Sequence, residues 1–312
     1  MRPTRPVAVA PGRNADSTVG FVFLTGAQKS GTTWVERTLN RHPEVVFKGE
    51  SWFFGPDCDV DHWLDDAAFD EWTRLPLGRF LSNVDSAELK DAAKRGMVEA
   101  LLRLRWRPGV RWIGDRTPYF YCRRVERMHA LFPDARLITV IRDPRDVAVS
   151  HMFHLLRENR LRYMFDDADE AARVRRFHIE GDGPPLPLFT DTALRHFAER
   201  WSTAVEASRR AQTLFGANHL ELRYEDAVRD DSAFVALFEF LELGDGEIIR
   251  RCIDEARFER ESAGRPRGVA DPASFWRKGV VGDWRNYFTS ADLRLYQTLL
   301  GPLMNDYGYG EG

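Results

Sequence analysis

The chain has 312 residues, with 45 Lys plus Arg against 48 Asp plus Glu and a formal net charge of −3. Apolar residues make up 43 % and charged residues 30 %, which excludes a disordered chain and a membrane-embedded one. No basic excess advertises nucleic acid or an anionic membrane. The length supplies one large α/β domain with a sizeable core. Only five of the cations are lysine (Lys29, Lys48, Lys90, Lys94 and Lys278) and 40 are arginine. A coding preference for Arg explains the skew, and it makes each retained lysine a candidate for a role that needs an ammonium. Cys58, Cys122 and Cys252 are odd in number and widely spaced, so neither a disulfide framework nor a zinc site follows. The first 18 residues lack the apolar run of a signal peptide, and no apolar stretch is long enough to span a bilayer. The expectation is a mobile tail over 1–18, a domain over 19–312 and a cytoplasmic location.

Gly20 to Gly26 is a short apolar run that reads as a buried strand. A helix from Gly31 to Arg41 follows and stops at His42-Pro43. Val45–Phe47 is a second short strand. Residues 57–107 are acidic and then helical, with Trp63, Phe69, Trp72 and Leu75 at helix-like spacing. Arg111–Asp115 reads as a strand, Tyr119–Leu131 as a helix and Arg136–Ile141 as the clearest buried strand. Asp143-Pro144 then supplies an N-cap and a first-position proline for a helix to about Arg157. Residues 157–190 are charged, then broken by Gly and Pro, and read as irregular. Phe197, Trp201, Val205 and Phe215 mark a long amphipathic helix over Asp191–Phe215. His219–Tyr224 reads as a strand, with helices near 230–243, 245–256 and 290–301, and a loop over 262–275. Strands alternating with helices predict an α/β fold, a central parallel sheet flanked by helices on both faces.

Three stretches carry chemistry. In Thr25–Trp34, a Gly/Ser/Thr-rich turn joins a buried strand to a helix. Such a turn presents backbone N–H groups and a positive dipole end to an anion. Lys29 adds a charge, and Ser30, Thr32 and Thr33 add hydroxyls. The nucleotide-triphosphate pattern G-x-x-x-x-G-K-[ST] is not met, because Lys29 precedes Gly31. In Ile141–Ser150, Arg142 stands at the carboxyl end of a strand, where open α/β sheets bind ligands, and Ser150 lies two turns into the next helix. In Trp276–Phe288, Arg277-Lys278-Gly279 and Gly282 sit between tryptophans, a composition that suits a loop closing over a phosphate. Taken singly, each stretch also reads as an ordinary turn or cap.

Together the three resemble the sulfotransferases that use 3′-phosphoadenosine 5′-phosphosulfate (PAPS), in the family's own order and over roughly 21–288. The resemblance implies a P-loop-like phosphosulfate-binding turn and in-line sulfuryl transfer with no metal, releasing adenosine 3′,5′-bisphosphate (PAP). By that resemblance Lys29 neutralises charge on the leaving oxygen. Ser30, Gly31, Thr32 and Thr33 cradle the 5′-phosphate, Arg142 and Ser150 bind the 3′-phosphate, and Arg277, Lys278 and Gly279 close over it. Trp34 and Tyr224 lie near adenine. Phe258 matches the family's other stacking position poorly and reads better as core. Two rival readings are a P-loop nucleotide kinase and a non-catalytic PAP-binding protein.

Cytosolic members carry Lys-Thr-His where this chain has Gly114-Asp-Arg-Thr-Pro118, without histidine. The segment resembles the glycan-modifying branch, which carries a Glu ahead of a Phe-Phe pair. Here Glu50-Ser-Trp-Phe-Phe54 fits that pattern, so Glu50 is the expected general base. His151, His154 and Asp115 are its rivals. Trp52, Phe53, Arg116 and Thr117 are expected to line the acceptor cleft, built from 50–75, 115–125, 151–190 and 262–275. The acceptor is a hydroxyl- or amine-bearing small molecule, glycan or lipid. The oligomeric state stays open.

Overall fold

Five strands run parallel in the order β2–β3–β1–β4–β5. They are β1 (Gly20–Gly26), β2 (Val45–Phe47), β3 (Trp112–Arg116), β4 (Arg136–Ile141) and β5 (His219–Arg223). The computed structural model describes residues 19–55 and 86–310. The expectations for residues 1–18, Cys58 and the Trp63–Leu75 periodicity lie outside them.

The pleat of β1 explains the layering. Phe21 and Phe23 point to one face, Val22 and Leu24 to the other. The first face packs Phe23 edge-on against Phe54, Tyr121 and Phe132. It also carries buried residues of α2 (Ser86–Arg103), α3 (Val125–Leu131), α4 (Pro144–Glu158), α6 (Asp191–Phe215) and α11 (Ser290–Asp306), α5 being the short helix Ala168–Arg175. The second face is covered by α1 (Thr32–Leu39), α8 (Ser232–Phe240) and α9 (Gly246–Glu255), after the short α7 (Tyr224–Arg229). The single turn α10 (Phe258–Glu261) follows. With both faces buried, the strands read as near-continuous apolar runs, which made them legible.

Several boundaries differ from expectation. The segment 157–190 contains α5, started by Asp167, whose side chain accepts from Asp169 N–H at 2.9 Å. A Thr-Asp capping box opens α11, which continues through Pro302 to Asp306. Tyr119 stands outside the following helix with φ 64°, and the chain enters α3 through a tight turn over Tyr121–Arg124. Tyr224 opens α7 rather than ending β5. Among the described residues no helix is long and apolar enough to cross a membrane.

The topology places the site. From β1 the chain passes to α1 on one face, and from β4 to α4 on the other. β1 and β4 are neighbours, with Gly26 opposite Val140. Connections leaving adjacent strands toward opposite faces open a crevice at their carboxyl ends. Lys29 and Arg142 both sit there.

Candidate active site

A cavity of about 1230 Å³ opens at this crevice. Gln28, Lys29 and Gly31–Trp34 form its floor, and Arg142, Ser150 and His151 one wall. Tyr224, Phe258 and Phe275–Val280 close one side, while Glu50, Trp52, Arg116 and Phe120 line the other end.

The turn after β1 has a backbone that few residues adopt. Lys29 has φ 72° and Gly31 φ 110°. A Cβ on Gly31 would stand 2.6 Å from the Tyr224 ring, so glycine is required for both angle and space. Gly31 caps α1 without any side-chain hydrogen bond. The N–H groups of Gly31, Thr32 and Thr33 have no partner among the described residues, which leaves an anion-seeking helix start. Ser30 is fully buried with an unpartnered Oγ.

Arg142 is buried. Its guanidinium lies 4.2 Å over the Tyr224 ring, and its Nη1 and Nη2 reach the carbonyls of Lys29 (3.4 Å) and Val280 (3.2 Å). Its Nε has no partner. The Trp201 indole N–H holds the Arg142 carbonyl at 2.8 Å, fixing the strand end. Arg142 thus joins the β1 turn to the C-terminal loop. Asp146, one turn on, accepts from Gly282 N–H (2.7 Å) and Trp284 N–H (3.0 Å). In that loop Asp283 holds Lys278 at 2.6 Å and pairs with Arg277. Those two cations keep the Asp283 carboxyl below its usual range against the opposing effect of burial. Gly279 (φ 69°) packs on Phe258, where a Cβ would meet the ring at 2.3 Å. Phe258 is both core, as the sequence suggested, and cavity wall.

The Lys29 ammonium faces the Phe275 ring at 4.3 Å. Burial first, then the charges of Arg157, Arg142 and Arg116, lower its pKa to about 8. No carboxylate pairs with it among the described residues, so an incoming anion would find an uncompensated cation.

At the other end, Arg116 donates to Glu50 at 2.9 Å and to Glu36 at 2.5 Å, while Glu36 also accepts from Gly49 N–H. Glu36 therefore orients the arm that holds Glu50. Trp52 lies against Phe120, ring centroids 4.6 Å apart. His151 and His154 reach the cavity from α4. Burial first, then Arg200 and Lys29, drives the His151 imidazole well below its usual pKa. Burial and then Lys29 lower His154 to about 4.

Not every expected residue reaches the cavity. Phe53 is buried in the core beside Phe54. Thr117 is fully buried and bonds Asp115, whose carboxylate also accepts from Tyr121 and from Ser51 N–H. Asp115 is a structural hub behind the cleft, with its pKa raised chiefly by burial. From 151–190 only residues up to Met164 line the cavity. Sequence reasoning missed Glu36, Asp146, Asp283, Arg200 and Phe275. Asp283 had a signal, a carboxylate five residues after Lys278 in a loop otherwise cationic. Glu36 and Asp146 read as ordinary helix residues.

The sulfotransferase family model matches residues 22–245. The nodulation protein NoeE of Sinorhizobium fredii is 29 % identical over 138 residues, covering 41 % of this chain and 30 % of that protein. The match thus spans less than a third of that relative. A mouse sulfotransferase, SULT7A1, complexed with PAP, superposes with a TM-score of 0.51 at 19 % identity, over 95 % of this chain and 87 % of that one. Sulfotransferase STF9 from Mycobacterium avium does so at 0.50 and 12 %, over 93 % and 78 %. At these identities the structures share a fold.

Proposed function

We propose that this chain, which belongs to the sulfotransferase family, transfers a sulfuryl group from PAPS to an acceptor hydroxyl or amine and releases PAP. The carrying observation is the cluster of orphaned donors at the phosphate end. The free N–H groups of Gly31, Thr32 and Thr33 and the buried unpartnered Arg142 Nε and Arg277 Nε belong to residues lining one crevice, with the unpartnered Ser30 Oγ buried just behind its floor. Buried donors without partners are costly and call for an acceptor-rich ligand. Two phosphates and a sulfate supply those acceptors.

In this reading the start of α1 and Ser30 hold the 5′-phosphate. Arg142, with Ser150 on the same wall, holds the 3′-phosphate, and Arg277, Lys278 and the Gly279 backbone cover it. Trp34, Tyr224 and Phe258 flank the adenine. Sulfuryl transfer passes through a loose transition state governed by position and charge. Lys29 stabilises the charge that grows on the leaving oxygen; its compact ammonium follows that oxygen where a planar guanidinium would hold one geometry.

Glu50 is the general base, the one carboxylate among the described cavity-lining residues. It takes the acceptor's proton while Arg116 and Glu36 fix its direction. His151 and His154 are neutral but poorly placed for the role, because each would have to become cationic beside Lys29. Labelled PAPS offered with a panel of hydroxyl acceptors tests the reading. Wild-type protein is expected to give a sulfated product and Lys29→Ala none. Normal transfer by Lys29→Ala refutes the mechanism, PAP binding with no product on any acceptor favours the non-catalytic reading, and Mg²⁺-dependent ATP turnover favours a kinase.

A further inference from the structure

One cation on the cavity wall is neither paired nor claimed by the nucleotide. Among the described residues, ten Lys and Arg side chains line the cavity against the single carboxylate of Glu50. PAPS brings a charge of about −4. Lys29 and Arg142 face it, with Arg277 and Lys278, which already share Asp283, beside them. Arg37 is paired with Glu261, and Arg116 with Glu36 and Glu50.

Arg200, on α6, is different. It is half-buried, and no described carboxylate lies within ion-pair distance. Its Nη1 donates to Gln28 Oε1 at 2.9 Å, and its guanidinium stacks 4.2 Å over the Tyr119 ring. Its Nε is buried without a partner. Nη2 has none among the described residues. The Nε–Nη2 edge is the fork that grips a carboxylate, as Arg145 does here with Asp143 at 3.0 and 2.8 Å. Tyr119 is held at positive φ and packs on Phe120, which packs on Trp52, so Arg200 belongs to the Glu50 end of the cavity. The flanking imidazoles of His151 and His196 are kept neutral, by burial first and by Arg200 next, leaving Arg200 the fixed charge of this corner.

We propose that Arg200 is an acceptor-recognition residue, and that the natural acceptor carries an oxyanion, a carboxylate or a sulfate ester, bound at the Arg200 fork while its hydroxyl faces Glu50. The proposal rests on the sulfotransferase reading and narrows its substrate class. Exposed Arg160 and Arg162, also on the cavity wall, extend the positive field toward solvent.

The test uses PAP-saturated full-length protein and matched acceptors that differ only in charge. The pairs are 4-hydroxyphenylacetate with its methyl ester, 12-hydroxydodecanoate with its methyl ester, and glucose 6-sulfate with glucose. The first two pairs report a carboxylate source and the third a sulfate source. Binding is read by calorimetry. In at least one pair the anion is expected to bind about 10- to 100-fold tighter, as one charged hydrogen-bonded contact provides. Arg200→Gln is expected to abolish that preference and Arg200→Lys to keep part of it, with PAP affinity unchanged in both. Equal binding within every pair, binding by no acceptor, or a preference that survives Arg200→Gln overturns the proposal. The last result would assign the anion to another cation of the cavity wall. PAP binding by the wild type is measured first, and its absence would sink the sulfotransferase reading itself.

Discussion

The lowered pKa of Lys29 makes nucleotide binding visible as a proton uptake. In the free protein the ammonium titrates at about 8, because burial and three arginines disfavour its charge. A phosphate arriving at the start of α1 reverses the balance, and the pKa returns toward the ordinary lysine value of about 10. At pH 8.5 the free protein is then about one-quarter protonated at Lys29 and the complex almost fully, an uptake of about 0.7 proton per PAP bound. The sign follows: the complex binds more protons than the free protein, so PAP affinity falls as pH rises above about 8, by up to about tenfold per pH unit. Calorimetric titrations at pH 8.5 in two buffers of different ionisation enthalpy measure the uptake directly. At pH 6.5 Lys29 is charged in both states, and its contribution disappears. Lys29→Met is expected to remove the uptake at pH 8.5. An uptake that persists in Lys29→Met, or none in the wild type, would mean that Lys29 does not meet the phosphate.

Other outcomes follow from the same geometry. Lys29→Arg is expected to keep most PAP affinity and to lower kcat, whereas equal loss of both in single-turnover assays would make Lys29 an anchor only. Glu50→Gln should lower kcat by about 10²- to 10⁴-fold with PAP affinity retained, and full activity would remove it as the base. Gly31→Ala forces a side chain to φ 110° against the Tyr224 ring. It is expected to cost roughly 1–3 kcal/mol in denaturant melts and to weaken PAP binding. A stable, tight-binding variant would contradict the need for glycine there. Buried His219 bonds Thr139, and burial lowers its pKa to about 4. The unfolded chain, with the ordinary value, binds the extra proton, so stability is full above pH 6.5 and is lost as pH falls toward 4. By pH 5.5 that loss is about 1 kcal/mol, and His219→Gln melts should show a shallower acid limb.

The sequence by itself determined the sheet. A strand buried on both faces must be apolar along its length, so β1 and β4 stood out as runs, and the helices between them followed from 3.6-residue periodicity and caps such as Asp143-Pro144. The proposed phosphate end was equally legible as a pattern, because a backbone cradle is local. Gly31, its hydroxyl neighbours and Lys29 are consecutive, and Arg142 is set by the end of β4. The proposed acceptor end is assembled from side chains distant in sequence: Glu36 orients Arg116 80 residues away, and Gln28 meets Arg200 across 172. No local pattern encodes such pairs. Burial also separated neighbours that look alike in the chain. Trp52 reaches the cavity while Phe53 enters the core, and Thr117 turns inward to Asp115 while Arg116 turns outward to Glu50. The side of a strand or turn on which a residue falls depends on register and on positive-φ corners such as Trp52 and Tyr119, which tertiary packing sustains and local propensity opposes. The lysine skew marked Lys29 as a lysine to notice, and the fold supplied the reason, a cation half-buried among arginines with no carboxylate paired to it among the described residues.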